Sequence, residues 1–403
     1  MMIVRLVLAM TLLAWFAGCR SQEVPPTVGP QPDEAGVYHV YEGESIQPAL
    51  DAAAADENHK VVHVHGGTYR PLQPGQAFVR FNRQHDGVQL VGVGEVILDA
   101  GQIAIANSED PAFPAVVSHI VYFGDGISSQ TVLRNVTLTG ANGFIADDVT
   151  HPAIEPPPTT PELEKGLFFF RDGGAMKIFG RSYPVIEGVT FRDNFSTLCA
   201  GGVSVEHRGF HSQSATFRDC VFINNRCPGT GSAIDLLGGS AAEIENCLFV
   251  GNIANTGMDQ IAAEFGLRYN PQHGCGALTV FPESKVRVRR CTFTGNWNGV
   301  DDKGPDNYYL DSIFWQNTAS DHSRPGGAYE LDVASARNVK GCLIRGNISD
   351  LRKTIDPAVN VLEARDPRFD ENYVPHASGY RDVGYRPREP RQAPPRPKGP
   401  ELP

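Results

Sequence analysis

A six-residue pattern of hydrophobic and polar positions recurs through the middle of the chain. Each copy begins with Cys, Ser or Val, has Phe or Ile at its third position and ends with Asn. The copies are Val189–Asn194, Cys220–Asn225, Cys247–Asn252, Cys291–Asn296, Ser312–Asn317 and Cys342–Asn347. A glycine-led run of alternating residues precedes most copies: Gly174–Ile178, Gly202–Val205, Gly231–Leu236, Gly276–Val280 and Gly327–Leu331. Alternation over such short runs predicts β-strands, because successive side chains of a strand point to opposite faces.

The spacing of the copies indicates how the strands are arranged. Their first positions are 31, 27, 44, 21 and 30 residues apart, and no helical stripe separates them. A variable period of this size is typical of a solenoid, in which coils stack because one coil cannot bury its hydrophobic face alone. Stacking at about 4.8 Å per strand puts like positions in vertical files. We therefore predict a buried Phe file and a buried file of Cys220, Cys247, Cys291 and Cys342.

This repeat resembles the right-handed parallel β-helix, the pectin-lyase-like fold of bacterial exported proteins. The resemblance implies an all-β solenoid with a short N-terminal capping helix and long loops on one side. We predict that Glu44–Ala55 forms that helix, with Ser45 as its N-cap, and that it covers the open end of the core. The resemblance also implies stacked asparagines at a bend, where Asn135 stands in one coil; Asp219, Asn246 and Arg290 hold its place in later coils. Asp366–Gly384 resembles the terminal motif that closes such domains.

The N-terminal region predicts export and a lipid anchor. Residues 1–18 combine the positive Arg5 with an apolar run too short to remain as a membrane span. The segment Phe16–Cys19 resembles the bacterial lipobox, which implies cleavage before Cys19 and acylation of its thiol; a plain secretory signal is the alternative. Arg20 after the cysteine implies the outer membrane of a Gram-negative-type bacterium. We divide the rest into a flexible tether (19–36), the β-helix domain (37–385) and a disordered Pro/Arg-rich tail (386–403).

Composition narrows the class of partner. The chain is 41% hydrophobic and 20% charged, with a formal net charge of −11. This is the composition of an acidic globular protein, and one elongated domain can use the whole length. Nucleic-acid binding requires a basic surface, so we expect no nucleic-acid partner for this acidic chain. We expect a monomer.

Three insertions interrupt the repeat: Asn142–Asp172, Ile253–Gly274 and Trp297–Asp306. All three leave the coil at one corner, after the Phe strand and before the glycine-led strand, so they wall one side of the glycine-led sheet. Loops on a rigid scaffold are common places for function. Cys199, Cys227 and Cys275 lie at the same corner. A disulfide between Cys199 and Cys227, which come from adjacent coils, is the pairing we expect in an exported protein.

The glycine-led strands supply the candidate chemistry. If their apolar residues face inward, alternation turns two other files outward. One predicted file is Lys177, Ser204, Asp235, Thr279 and Glu330. The next is Phe179, Glu206, Leu237, Phe281 and Asp332. Such a face, walled by loops, is suited to an extended polysaccharide, and pectin-lyase-like enzymes carry their active sites there.

Two mechanisms fit this face, and a non-catalytic role fits it as well. Glu206 and Asp235 on neighbouring coils form a carboxylate pair of the kind used in glycoside hydrolysis, and Asp301 or Asp302 from the adjoining loop can replace either partner. Alternatively, the acids hold Ca²⁺ against a uronic acid while Lys177 or an arginine abstracts the proton α to its carboxylate, as in polysaccharide lyases. The third hypothesis is a surface or adhesion module that binds glycan without cleaving it. The motifs of polygalacturonases and pectate lyases are not recognisable, so the residues leave these alternatives open.

His63 and His65 are a separate candidate. They alternate with Val62 and Val64, so both face outward on one strand. A His-x-His pair can bind a metal ion, but the sequence shows no third ligand nearby.

Overall fold

The architecture was established from a computed structural model that describes residues 29–72, 75–101, 116–143, 163–166, 169–264, 266, 276–317, 329–345 and 355–388. The helices are α1 (Ile46–Ala55) and α2 (Met258–Glu264), and Arg83–His85 forms a 3₁₀ turn. In chain order the strands are β1 (Val37–Val40), β2 (Val61–Tyr69), β3 (Gly75–Phe81), β4 (Gln89–Asp99), β5 (Val117–Phe123), β6 (Val132–Arg134), β7 (Thr137–Thr139), β8 (Met176–Phe179), β9 (Val185–Glu187), β10 (Thr190–Arg192), β11 (Val203–Glu206), β12 (Ala215–Arg218), β13 (Val221–Ile223), β14 (Ile234–Leu236), β15 (Ala241–Glu245), β16 (Leu248–Val250), β17 (Leu278–Val280), β18 (Lys285–Arg289), β19 (Thr292–Thr294), β20 (Val300–Asp302), β21 (Tyr308–Leu310), β22 (Ile313–Trp315), β23 (Leu331–Val333), β24 (Val339–Lys340) and β25 (Leu343–Arg345). Across these ranges, neither helix is long and apolar enough to cross a bilayer.

The strands form stacked parallel files, which confirms the predicted parallel β-helix. One file is the eight-stranded sheet β3-β5-β8-β11-β14-β17-β20-β23, which contains the glycine-led strands and is called the glycine-led sheet below. The other strands make two further files that share β1, β2 and β4; one runs β6-β9-β12-β15-β18-β21-β24 and the other β7-β10-β13-β16-β19-β22-β25. Each full coil therefore gives one strand to each of three faces around a single core.

The predicted vertical files of side chains are confirmed. Phe191, Phe222, Phe249, Phe293 and Phe314 stack with ring centroids 4.6, 4.8, 4.2 and 5.1 Å apart and nearly parallel planes. The cysteines at the first repeat position are buried free thiols, as predicted. Stacked rings add about 0.5–1.5 kcal/mol per pair to the free energy of burial.

The asparagine ladder lies at a different bend from the one we predicted. Asn135 is exposed and has a left-handed backbone (φ 56°), so it shapes the bend without stacking inside it. The buried ladder is built from the asparagine that ends each repeat: Asn194, Asn225, Asn252, Asn296 and Asn317. Each amide Nδ2 donates to the Oδ1 of the next, at 3.0, 2.9, 2.9 and 2.7 Å. The ladder ends on the carboxylate of Glu330, which accepts from Asn317.

A helix covers the N-terminal end of the solenoid. At the N-terminal end, α1 buries Ile46, Ala49, Leu50 and Ala53 against the core, as predicted; Ser45 is its N-cap residue, although its side chain makes no capping hydrogen bond. This burial removes apolar surface and an unpaired edge from water.

At the other end, the chain after the last strand turns back along the outside of the β-helix. Tyr385 packs on the outer side chains of β13 and β16, and the Arg386 N–H donates to Asn246 Oδ1 at 2.7 Å. Arg388 pairs with Glu187 at 2.7 Å and with Asp219 at 2.9 Å. The expectation of a disordered tail from Arg386 onward is therefore wrong for residues 386–388; residues 389–403 lie outside the described ranges. We call residues 384–388 the returning segment.

Candidate functional site

The outer face of the glycine-led sheet has the register predicted for its central strands. Met176 and Ile178 of β8 pack in the core with Ile234 and Leu236 of β14, so the residues between them point outward. Backbone pairing places Lys177, Ser204, Asp235 and Thr279 side by side in one file. The alternation of apolar and polar residues was enough to predict this part of the face.

The file continues differently from the prediction after Thr279. Residues Val300–Asp302, expected in a loop, form the strand β20, and Asp301 pairs with Thr279 on one side and Asp332 on the other. The outer file thus ends in Asp301 and Asp332. The predicted place of Glu330 in it is wrong, because Leu331 and Val333, rather than Tyr329 and Leu331, are the inward residues of β23.

Asp302 and Glu330 serve the interior instead of the face. Asp302 lies on the inward side of β20 and accepts hydrogen bonds from the Gly304 N–H (2.7 Å), the Asn307 amide (2.8 Å) and the Tyr309 hydroxyl (2.8 Å). Burial raises the pKa of Asp302 to about 6 and that of Glu330 to about 7. Both carboxyls accept hydrogen bonds from buried donors of the coil, and Asp302 faces away from Asp301.

Lys177 is the centre of a buried ion cluster on the outer face. Its Nζ lies 2.8 Å from Asp172 Oδ1, 2.8 Å from Glu206 Oε2 and 3.2 Å from Ser204 Oγ. Burial lowers the pKa of Lys177, but the charges and hydrogen bonds of Asp172 and Glu206 outweigh burial, so the net pKa is raised. Burial also raises the pKa of Asp172, to about 6. Lys177 is thus held as a cation, which is the opposite of what a lysine general base needs.

The chain before β8 covers this cluster. The Gly166 N–H donates to Glu206 Oε1 at 3.1 Å, and Phe169 packs against Tyr122 and Phe179. The Phe169 ring lies 5.3 Å from Lys177 Nζ. Because of this cover, Lys177 is 0% exposed, so the face is not the open groove that we expected from the sequence.

Asp235 has the most unusual environment of the predicted residues. It is 0% exposed, and its Oδ2 accepts a hydrogen bond from Thr230 Oγ1 at 2.7 Å. Its Oδ1 has no hydrogen-bond partner within the described part of the chain. Burial raises the pKa of Asp235 to about 7, and the hydrogen bond from Thr230 offsets this only in part. At neutral pH this carboxyl is therefore present in substantial amount as the protonated acid.

Asp301 and Asp332 share a second lysine. Lys303 Nζ lies 2.6 Å from Asp301 Oδ1 and 3.0 Å from Asp332 Oδ2. Asp301 lies two strands from Asp235. Adjacent strands are about 4.8 Å apart, so the two Cα atoms are separated by about 9.6 Å. A backbone spacing of this size is compatible with the carboxyl-to-carboxyl separation of about 6.5–9.5 Å used by inverting glycosidases.

Cys199 and Cys227 are free thiols in the structure, so the expected disulfide between them is absent. Each thiol contacts a different oxygen of Thr230: Cys199 Sγ lies 3.2 Å from Oγ1, whose proton is donated to Asp235, and Cys227 Sγ donates to the Thr230 carbonyl at 3.3 Å. Burial raises the pKa of Cys227 and of Cys199, which keeps both protonated.

A calcium site is not preformed by the predicted acids. Within the described ranges, no group of three or more His, Cys, Asp or Glu side chains is already arranged to hold a metal ion. The candidate lipidation residue Cys19 lies outside those ranges.

Comparison with known proteins agrees with the coil geometry. A family model described as a right-handed β-helix region matches residues 128–264. This match covers β8, β11 and β14, and with them Lys177, Glu206 and Asp235. No curated protein and no solved structure matches the chain.

Proposed function

We propose that this chain, a right-handed parallel β-helix, is a cell-surface protein that binds an extended polysaccharide along the glycine-led sheet and cleaves it by hydrolysis. The observation that carries the proposal is Asp235, a buried carboxyl with a pKa of about 7 and one oxygen without a hydrogen-bond partner in the described part of the chain. A general acid works best when its pKa lies near the working pH. Asp235 is suited to protonating the glycosidic oxygen.

The other residues of the face take supporting roles in this mechanism. Asp301 is the carboxylate that activates water on the opposite side of the sugar, and Lys303 pairs with it. Thr230 orients Asp235 through its hydroxyl. Lys177 holds Asp172 and Glu206 in place through two ion pairs. The raised pKa of Lys177 removes the lysine base of the alternative lyase mechanism.

Access to Asp235 and Asp301, both 0% exposed, requires part of the cover to move. Thr230 is hydrogen-bonded to Asp235, and Gly231 lies so close that a Cβ there would be 2.6 Å from the Asp235 Cβ. A polysaccharide therefore reaches the carboxyl only when the chain around these two residues swings outward. Binding energy from the rest of the polymer would offset that cost.

The test is hydrolysis of a panel of neutral and acidic polysaccharides, followed by reducing-end release and NMR of the new anomeric centre. We expect inversion of configuration, and a loss of about 10²–10⁴-fold in kcat for Asp235→Asn. Asp306→Asn, on the exposed surface, is the matched control. Full activity of Asp235→Asn, unsaturated products in place of new reducing ends, or retention of configuration would contradict this mechanism.

A non-catalytic glycan-binding or adhesion module is the second candidate. The observation that favours it is the complete burial of Lys177 between two carboxylates, an arrangement that can be purely structural. Polysaccharide binding by microarray without any turnover across the panel would support this function instead.

We also propose that the protein is held at the bacterial outer membrane by acyl chains on Cys19. The export signal and lipobox-like segment support this proposal. Mass spectrometry of the mature N-terminus tests it directly. Cys19→Ser should release the protein from the membrane fraction, and an unmodified N-terminus would refute the anchor.

A further inference from the structure

Three histidines gather on the outer surface of the first two strands. His39 of β1 pairs directly with His63 of β2, and His65 is the next outward residue on β2. The rings of His39 and His63 are 5.7 Å apart, and those of His39 and His65 are 5.1 Å apart. All three side chains are partly exposed. The sequence predicted only the pair on β2; strand register supplies the third histidine.

A chain of hydrogen bonds orients these rings. His39 Nε2 lies 3.0 Å from Asp33 Oδ2, and His39 Nδ1 lies 2.9 Å from His65 Nε2. A carboxylate can only accept a hydrogen bond. His39 Nε2 therefore donates, and with a neutral ring its Nδ1 lone pair faces His65. A histidine held by a carboxylate through one nitrogen while the other nitrogen is aimed at a shared position is the usual arrangement of a metal ligand.

We propose that His39, His65 and His63 bind a divalent transition metal ion such as Zn²⁺ or Cu²⁺. Two imidazole nitrogens at about 2.0–2.1 Å from one ion lie about 2.9–3.4 Å apart, depending on the bond angle. The observed 2.9 Å separation of His39 Nδ1 and His65 Nε2 falls at this spacing. Imidazole ligands favour Zn²⁺ and Cu²⁺ over Mg²⁺ or Ca²⁺.

The ion takes the place of the proton that now lies between the two rings. His65 transfers that proton from Nε2 to Nδ1 through solvent, and both lone pairs then turn to the ion, with no net release of protons from neutral rings. The His63 ring, whose centroid is 5.7 Å from that of His39, can complete the site after a side-chain rotation. Because the site closes only on binding, the structure shows a hydrogen bond there and no preformed cage.

Isothermal calorimetry with Zn²⁺, and electron paramagnetic resonance with Cu²⁺, test the site on the mature protein purified without a polyhistidine tag. We expect one ion per chain and nitrogen hyperfine structure in the Cu²⁺ spectrum. The double variant His39→Ala/His65→Ala should lose both. Asp33→Asn keeps an oxygen acceptor but removes the charge, and should weaken binding about 10–100-fold.

His376→Ala is the matched control, because His376 also pairs with an aspartate, Asp370 at 3.1 Å, on an exposed surface. This variant should bind the ion like the unchanged protein. The absence of uptake by the unchanged protein would overturn the proposal, as would equal uptake by the double variant. Neither outcome bears on polysaccharide cleavage, since the site does not involve the glycine-led face.

Discussion

Replacing Asn252 by alanine tests whether the asparagine ladder holds the coils together. The side-chain Oδ1 of Asn252 accepts from the Asn225 backbone N–H at 3.0 Å and from the Asn225 side-chain Nδ2 at 2.9 Å. Its own amide donates to the Phe222 carbonyl at 3.0 Å and to Asn296 Oδ1 at 2.9 Å. The substitution thus removes the partner of three buried groups: the Asn225 backbone N–H, one Asn225 Nδ2–H and the Phe222 carbonyl. Asn296 Oδ1 keeps the hydrogen bond from the Asn252 backbone N–H at 2.9 Å.

The expected cost follows from those three groups. Leaving one buried polar group unsatisfied costs about 1–3 kcal/mol, and because such losses are not additive we expect about 4–6 kcal/mol in the free energy of unfolding. A loss of this size is exceptional for one substitution, and in a solenoid it falls on the interfaces with both neighbouring coils.

Urea unfolding followed by circular dichroism measures the effect. Asn58→Ala, on an exposed residue, is the control and should change the free energy of unfolding by less than about 0.5 kcal/mol. Asn252→Asp should also destabilise, because a carboxylate oxygen would then face the Phe222 carbonyl. A loss below about 1 kcal/mol for Asn252→Ala would refute the reasoning, since it would mean that water replaces the ladder without penalty.

Three further predictions concern the core, the ion cluster and pH. Phe249→Ala should destabilise by about 3–5 kcal/mol by opening a cavity between two stacked rings, whereas Phe249→Leu should cost less; equal urea midpoints for the two variants would contradict this. Lys177→Met should cost about 3–5 kcal/mol because it leaves Asp172 and Glu206 buried without a cation, and thermal unfolding measures it; an unchanged melting temperature would show that the cluster is neutral without the lysine. The folded pKa of Asp235, about 7, lies above its unfolded value, so the folded state binds the extra proton and stability should fall as pH rises from about 4 to about 7. Because Asp172, Asp302 and Glu330 also have raised pKa values, Asp235→Asn should reduce the slope of the denaturation midpoint over that window without abolishing it, and an equal slope would refute the assignment.

The repeat predicted the architecture because its physical signal is local and repeated. Inward apolar residues and a recurring Phe fixed the stacking, and alternation alone placed Lys177 beside Ser204, Asp235 and Thr279. Nothing in this reasoning required long-range information.

The errors came where tertiary contacts replaced the local signal. The strand β20 has Val300 as its single apolar inward residue, and its other inward position is Asp302, which is acceptable there only because Tyr309, from the next strand, donates to it. The cover over Lys177 depends on Phe169, whose sequence signal was three consecutive phenylalanines without a period. His39 joins His63 only through strand pairing across an intervening helix.

The returning segment changes how the β-helix should come apart. Contacts limited to adjacent windings would let an open-ended stack unravel from its last turn. Here Gly384 is hydrogen-bonded to Asp311, Tyr385 to Thr292 and Arg386 to Asn246, so the returning segment connects several successive windings. A pulling force on the C-terminus acts on these hydrogen bonds before it reaches the final coil. The last windings should therefore unfold together in one mechanical step.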